Sequence, residues 1–229
     1  MCGIFGFYLN RRLSDIDVKN GKKYLDLLSH RGPDNTGFFV QKDIGLFIGH
    51  KRLSIIDVTD KSNQPMQIGD ETIAYNGEIY NYIEIKKELM KSGEKFSSDG
   101  DTEILLRSWK KWGIKSLDKL DGMYSFALFS NNRINLITDP FGEKPLYYIK
   151  TNDGLYFSSE PKPLADMLNL RKIITNDQVL KFMILGHLDH EDTGYEGLIK
   201  IPPATHVSSG KNFKIIKNKY WKTEKIVKE

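Results

Sequence analysis

Met1-Cys2-Gly3-Ile4-Phe5-Gly6-Phe7 is the stretch on which the reading of this chain turns. Residues 3–8 are β-prone and alternate loosely, which predicts a first strand with Cys2 at its leading end. Cys2 is the only cysteine among 229 residues. Removal of Met1 would leave a thiol and a free α-amine on one residue. An α-amine titrates at about 7.7–8.0, so such a residue carries its own general base and needs no histidine partner. The alternative is a small apolar residue buried near the chain start, the usual state of a free cysteine. One cysteine alone does not decide between the two.

The bulk properties narrow the field. The chain is long enough for one large domain or two small ones with a substantial core. Its 39% hydrophobic and 28% charged residues, with negative mean hydropathy, describe an ordinary soluble protein. Apolar runs such as 44–48 and 123–129 are far too short to cross a bilayer, and no leader pattern precedes Cys2. A lone cysteine excludes an internal disulfide framework and fits a reducing cytoplasm. The net charge is +4, and seven lysines against two acidic residues fall between Lys211 and Glu229. A basic tail of this kind reads as a solvated linker rather than a nucleic-acid surface.

Working outward from the first strand, Lys22–Leu28 reads as helical and stops at the turn Arg31-Gly32-Pro33-Asp34. Short strands are predicted at 37–40, 45–50, 53–58 and 71–75. Helices follow at 80–91, with Tyr82, Ile83, Ile85 and Leu89 on one face, and at 101–112, burying Ile104, Leu105, Ser108 and Trp109. Further strands are predicted at 124–129, 133–138, 146–149 and 155–158, with a hairpin turn at Asn131-Asn132. Short helices are placed at 163–168 and 177–185. Two blocks of strands with interspersed helices predict an α+β domain of sheets packed between helical layers.

Four segments stand out: Met1-Cys2-Gly3-Ile4-Phe5-Gly6, His30-Arg31-Gly32-Pro33-Asp34, His50-Lys51-Arg52-Leu53-Ser54-Ile55-Ile56-Asp57 and Tyr75-Asn76-Gly77-Glu78-Ile79-Tyr80-Asn81. In this order the chain resembles the class II glutamine amidotransferases, a branch of the N-terminal-nucleophile hydrolases. Pro33-Asp34 and Arg52-Leu53-Ser54-Ile55 are similar to the glutamine-hydrolysing asparagine synthetase branch. Leu120–Ala127, Asp139–Tyr148, Phe157–Glu160 and Ile201–Ala204 extend the likeness, so it covers residues 2–221. The resemblance implies a four-layer αββα sandwich over 2–221, with 222–229 a basic tail or linker toward a missing ATP-dependent synthetase domain.

Hydrolysis of a side-chain amide needs a nucleophile, a proton shuttle and a group that steadies the tetrahedral oxyanion. Cys2 supplies the first two. Asn76-Gly77 can supply the third, through a side-chain NH2 and an unhindered backbone N–H, and one such donor contributes about 3–4 kcal/mol. The competing reading of Asn76-Gly77 is a tight hairpin turn. Position by position, the resemblance makes Arg52 the clamp for the glutamine α-carboxylate, which a guanidinium fork matches. It assigns the ammonium to Asp101 and Glu78 and backbone contacts to Ile55. The competing readings are a surface ion pair for Arg52 and a helix N-cap for Asp101. Arg31 and Asp34 are read as shaping a loop beside the site.

Thr138-Asp139 and Glu160-Pro161-Lys162-Pro163-Leu164 depart from the family pattern, which bears on the acceptor and not on the glutaminase chemistry. No glycine-rich phosphate loop occurs, so no cofactor is assigned to this domain, and ATP and Mg2+ are expected in the absent synthetase domain. That domain is expected in the remainder of a longer chain, with a separate subunit as the alternative. His187-Leu188-Asp189-His190-Glu191-Asp192 gathers metal-ligand types without their spacing, and no metal is assigned. The function implied is hydrolysis of L-glutamine to glutamate and ammonia for ATP-dependent amidation of an acyl acceptor, aspartate first. A non-aspartate carboxylate such as a sugar acid is the alternative acceptor. A catalytically silent binding module is the rival from another class. Neither a nucleic acid nor a membrane is expected as partner, and homodimer formation is left open.

Overall fold

The computed structural model describes residues 1–189 and 192–222. Short alternating segments pair into two six-stranded sheets, every pairing antiparallel. In chain order the strands are β1 (Gly3–Leu9), β2 (Asn35–Gln41), β3 (Leu46–Arg52), β4 (Met66–Ile68), β5 (Glu71–Ile79), β6 (Gly122–Ser130), β7 (Arg133–Thr138), β8 (Tyr147–Lys150), β9 (Gly154–Ser158), β10 (Ile199–Lys200), β11 (Thr205–Ser209) and β12 (Ile215–Lys219). The first sheet runs β10-β8-β9-β1-β3-β2 and the second β12-β11-β7-β6-β5-β4. The helices are α1 (Asp15–Asp26), α2 (Tyr82–Lys91), α3 (Asp101–Trp112), α4 (Pro161–Leu168) and α5 (Asn176–Leu185).

The period of two along each strand sorts the apolar residues into layers. Ile4, Tyr8, Ile48, Ala74, Ala127, Leu136 and Phe157 meet between the sheets. Their neighbours Phe5, Phe7 and Phe47 face outward, packing on Leu25 of α1 and Leu164 of α4. On the other side Ile73, Tyr75 and Phe126 face Ile85 and Leu89 of α2 and Ile104 and Leu105 of α3. Three apolar layers give four structural layers, an αββα sandwich, as the family resemblance implied.

Local chemistry explains the boundaries. Ser14 caps α1 and accepts from the backbone N–H of Asp17, whose carboxylate reaches back to the Ser14 N–H. This capping box starts the helix seven residues before the predicted 22–28 segment. Asn131 and Asn132 both sit in the left-handed region, at φ 52° and 55°, as a two-residue hairpin turn requires. The strand expected over 53–58 is absent: those residues form a loop. Their β-branched side chains suit a strand, yet backbone groups of this segment serve Arg52 and Asp34 instead of a neighbouring strand. In α5 the side chains of Leu180, Met183 and Ile184 are exposed. Of the basic tail only Lys222 lies within the described residues, as do Lys211–Trp221 before it; His190 and Glu191 of the candidate metal loop lie outside. Among the described residues no helix is long and apolar enough to cross a membrane.

Candidate active site

The same alternation that buries Ile4, Ile48 and Ala74 between the sheets brings Cys2, Arg52 and Asn76 to that layer. There it opens into a cavity of about 280 Å3. Sites for drug-sized ligands run to roughly 300–1,000 Å3, so this one suits a small metabolite. Cys2, Arg52, Ile55, Asn76, Gly77, Glu78 and Asp101 all line it. Residues from two strands, the residue preceding β1, one loop and one helix start thus converge on a single space.

Cys2 is half-buried and held at both ends. Its Sγ lies 3.4 Å from the backbone N–H of Leu53 and 3.6 Å from the Leu53 carbonyl. Its own carbonyl accepts a 2.9 Å bond from Arg31 Nε, and Arg31 Nη1 is anchored 2.9 Å from Glu160 Oε1. His30 Nε2 shares that carboxylate oxygen at 2.9 Å. Burial pushes the Cys2 thiol up, against the Leu53 amide, the chain's terminal amine and Arg52, which pull it down. A thiol held protonated needs a base to become a nucleophile. In this chain the Cys2 nitrogen is tied into the peptide bond with Met1.

The edge of β5 carries the second half of the site. β4 covers β5 only as far as the Met66–Ile73 pair, so residues 75–79 have no strand on that side among the described residues. On the other side Gly77 stands opposite Tyr124 of β6. Tyr124 commits both backbone groups to Asp139: its N–H donates to Oδ2 at 3.2 Å, and its carbonyl accepts from the Asp139 N–H at 2.8 Å. Gly77 and Tyr124 are therefore a non-hydrogen-bonded pair, and the Gly77 N–H and C=O point to the open edge. Tyr75 and Ile79, two residues either way, do the same. The Tyr75 N–H donates to Gln64 Oε1 at 2.6 Å and the Ile79 N–H to Asp101 Oδ2 at 3.1 Å. Between these two satisfied donors lies the Gly77 N–H, facing the cavity. Asn76 beside it is 1% exposed, and its side-chain NH2 is buried without a hydrogen-bond partner. A Cβ on Gly77 would collide with the Met123 carbonyl, so glycine is needed for the strand to sit this close to β6. Asn76-Gly77 is thus in mid-strand, and the hairpin-turn reading fails.

Arg52, 4% exposed, is no surface ion-pair residue and forms no ion pair among the described residues. Its Nη1 donates to the Thr59 carbonyl at 2.9 Å and to Asn63 Oδ1 at 2.8 Å, and its Nη2 to the Asp57 carbonyl. Three of its five N–H donors hold the 53–63 loop, leaving two for a ligand. Asp57 ties the same loop together, accepting from Thr59, Ser62 Oγ and the Asp99 N–H. These bonds, Thr59 first, lower the Asp57 carboxyl below the usual range. Ile55 is largely exposed on this loop and Glu78 is half-buried.

Asp101 does not cap α3. Gly100 is the N-cap without a side-chain bond, and Asp101 is the first helical residue. Its Oδ2 instead accepts from the Tyr75 hydroxyl at 2.7 Å as well as from Ile79. Burial raises the Asp101 carboxyl, with the Tyr75 and Ile79 bonds pulling the other way. Asp34 receives the Ser54 N–H at 2.7 Å, so Arg31 and Asp34 do frame the site from outside the cavity.

Gln64, Ser62, Thr102, Met123 and Lys144 also line the cavity and were not marked in the sequence. Gln64 is the hardest to foresee, since its amide acts across the fold on Tyr75 and Thr102. Lys144 had a signal: Asp139 gathers the backbone N–H groups of Phe141, Glu143 and Lys144 within the already conspicuous Asp139–Tyr148 segment. Among the described residues no three His, Cys, Asp or Glu side chains group as a metal site.

Comparison with known proteins gives the family of the chain. Residues 1–221 match a family model described as a glutamine amidotransferase domain. The chain is 42% identical over 170 residues to glutamine-hydrolysing asparagine synthetase 1 of Bacillus subtilis strain 168, covering 72% of this chain and 26% of that protein. It is 32% identical over 231 residues to asparagine synthetase 3 of the same organism, covering 98% of this chain and 37% of that protein. It therefore spans only a quarter to two-fifths of these curated relatives. Among solved structures it superimposes on glutamine phosphoribosylpyrophosphate amidotransferase from Bacillus subtilis with a TM-score of 0.70 at 20% identity, over 96% of this chain and 49% of that one, a likeness of fold.

Proposed function

The chain belongs to the glutamine amidotransferase domain family, and on that premise we propose that it hydrolyses the side-chain amide of L-glutamine with Cys2 as nucleophile. The observation that carries the reading is the unpartnered, buried Asn76 NH2 beside the cavity-facing Gly77 N–H, in one cavity with the Cys2 thiol. An orphan side-chain donor beside a strand-edge N–H, both at one space, is what a tetrahedral oxyanion requires and what an inert core would avoid.

Once Met1 is removed, the freed Cys2 amine takes the thiol proton, and the sulfur attacks the carboxamide carbon. The oxygen gains negative charge against Asn76 and Gly77. Collapse expels ammonia with the proton returned from the amine, leaving a γ-glutamyl thioester. Water, deprotonated by the same amine, attacks that thioester and releases glutamate and the thiol. Arg52 offers its two remaining N–H donors to the α-carboxylate, while Asp101 and Glu78 take the ammonium. Ile55 closes the loop side of the pocket.

The domain is read as residues 2–221, followed by a linker. The ammonia is destined for an ATP- and Mg2+-dependent synthetase portion that the relatives' extra length accommodates. Its acceptor is taken as aspartate, since the two curated relatives compared above are asparagine synthetases. Intact mass paired with ammonia release from glutamine tests the chemistry. Protein lacking Met1 should release ammonia, Cys2→Ala should release none, and a retained Met1 should silence the wild type. Turnover by Cys2→Ala equal to wild type would refute the nucleophile.

A further inference from the structure

His50 is wholly buried between the sheets, and its Nε2 lies 2.9 Å from the backbone carbonyl of Tyr75. The partner is a carbonyl, so Nε2 carries the proton and donates. The other ring nitrogen, Nδ1, is buried without a partner. Burial holds the ring well below its usual value, at about 4, so it stays a neutral, fixed-tautomer donor throughout the working range. A polar ring in a hydrocarbon layer, half of it unsatisfied, is unfavourable unless the remaining bond does something specific.

What that bond does follows from the open edge of β5. Residue 75 has lost its strand neighbour, and two side chains stand in for it. Gln64 Oε1 accepts the Tyr75 N–H at 2.6 Å, and His50 donates to the Tyr75 C=O at 2.9 Å. Gln64 is itself held by Thr102 Oγ1 at 3.2 Å, and His50 is held by the pairing of β3 with β1 and β2. The next residue is Asn76, and the next N–H on that edge is that of Gly77.

We propose that His50 and Gln64 form a two-armed clamp on the Tyr75 peptide groups that positions the Asn76 and Gly77 oxyanion donors, making both positioning residues for the reaction. The inference rests on the hydrolase reading of this site. Neither side chain is required to touch the substrate. His50 is absent from the cavity lining, and it acts through the β5 backbone.

The test compares His50→Leu, His50→Gln and Gln64→Leu in the full chain freed of Met1. The readouts are glutamine kinetics, the rate of Cys2 alkylation by iodoacetamide, and the NMR amide resonance of Gly77. His50→Leu should lower kcat on the order of 10²-fold, the low end of losing one oxyanion donor. KM and the alkylation rate should stay near wild type, and the Gly77 amide should shift. His50→Gln, which restores a terminal N–H near the same place, should recover most of the kcat and the amide position. If His50→Leu does not fold, Gln64→Leu is read by kcat and the Gly77 amide alone, because Gln64 lines the cavity. A folded Leu variant with unchanged kcat and an unmoved Gly77 amide overturns the clamp, as does a loss expressed in KM alone. A wild type that releases no ammonia while the Leu variants still displace the Gly77 amide would sink the hydrolase reading and leave the clamp standing.

Discussion

At the scale of single residues, the site is a set of polar groups whose partners are chosen with care. Tyr75 shows this best, because its backbone and its phenol serve different ends. The backbone is held by Gln64 and His50, while the hydroxyl donates to Asp101 Oδ2 at 2.7 Å. Burial raises the Asp101 carboxyl, and the phenol opposes that by stabilising the charged form. Tyr75→Phe removes one opposing bond, so Asp101 titrates higher still and loses its negative charge sooner as pH falls. The variant should bind the glutamine ammonium less well, with KM raised on the order of tenfold, as one lost bond to a charged group implies. The defect should grow as pH falls. Initial rates over a falling pH series check it; a KM that rises equally at every pH would show that Tyr75 does not act through the Asp101 charge.

At the scale of elements, most strands were legible and the 53–58 loop was not. β1, β6, β7 and β9 fall near their predicted ranges because alternation and the Asn131-Asn132 turn are local signals. The seven candidate site residues, chosen from motif order, line one cavity. The strand expected over 71–75 runs on to Ile79, and the one expected over 53–58 is a loop, for physical reasons. Asn76-Gly77 has the local chemistry of a turn, but β6 pairs with it from Ser125 to Tyr124 and keeps it extended. Leu53–Val58 has the composition of a strand, but Arg52 and Asp57 draw it into a loop by long-range and side-chain bonds that periodicity does not reveal. Asp57 sits in the left-handed region, at φ 48°, where its side chain can meet Thr59 and Ser62. Asp57→Ala removes those bonds and the one from the Asp99 N–H. With each net bond worth about 0.5–1.5 kcal/mol on a partly exposed loop, KM for glutamine should rise roughly tenfold. The Cys2 alkylation rate should hold. Amide exchange over residues 57–62 should quicken; unchanged exchange there would show that the loop is held by Arg52 alone.

At the scale of the whole molecule, two neutral histidines, His50 between the sheets and His206 beneath Trp109 of α3, make stability depend on pH. Burial holds both His50 and His206 at about 4, against an unfolded value near 6.5. His206 Nε2 lies 2.9 Å from Asn135 Oδ1 on β7, and its Nδ1 has no partner. With folded values depressed, the unfolded chain takes up protons first as pH falls below about 6.5. Stability from these rings is fully present above that point and drains away down to about pH 4, below which both states are protonated. At about 1.4 kcal/mol per pH unit each ring accounts for on the order of 3 kcal/mol, or roughly 6–12 °C in Tm for a chain of this size. Asp101 works against this: its raised carboxyl is protonated first in the folded state, so it gains as pH falls. Asp17 and Asp57, held low by their hydrogen bonds, begin to lose their contribution only below about pH 4. Melting curves from pH 8 to pH 4 should therefore be flat in their upper part and fall steadily from about pH 6.5. His206→Gln, which keeps a side-chain N–H for Asn135 but cannot titrate, should lose close to half of that slope while matching the wild type's pH-independent plateau shape. An undiminished slope in this variant would mean that the acid sensitivity of the fold arises elsewhere than in its buried imidazoles.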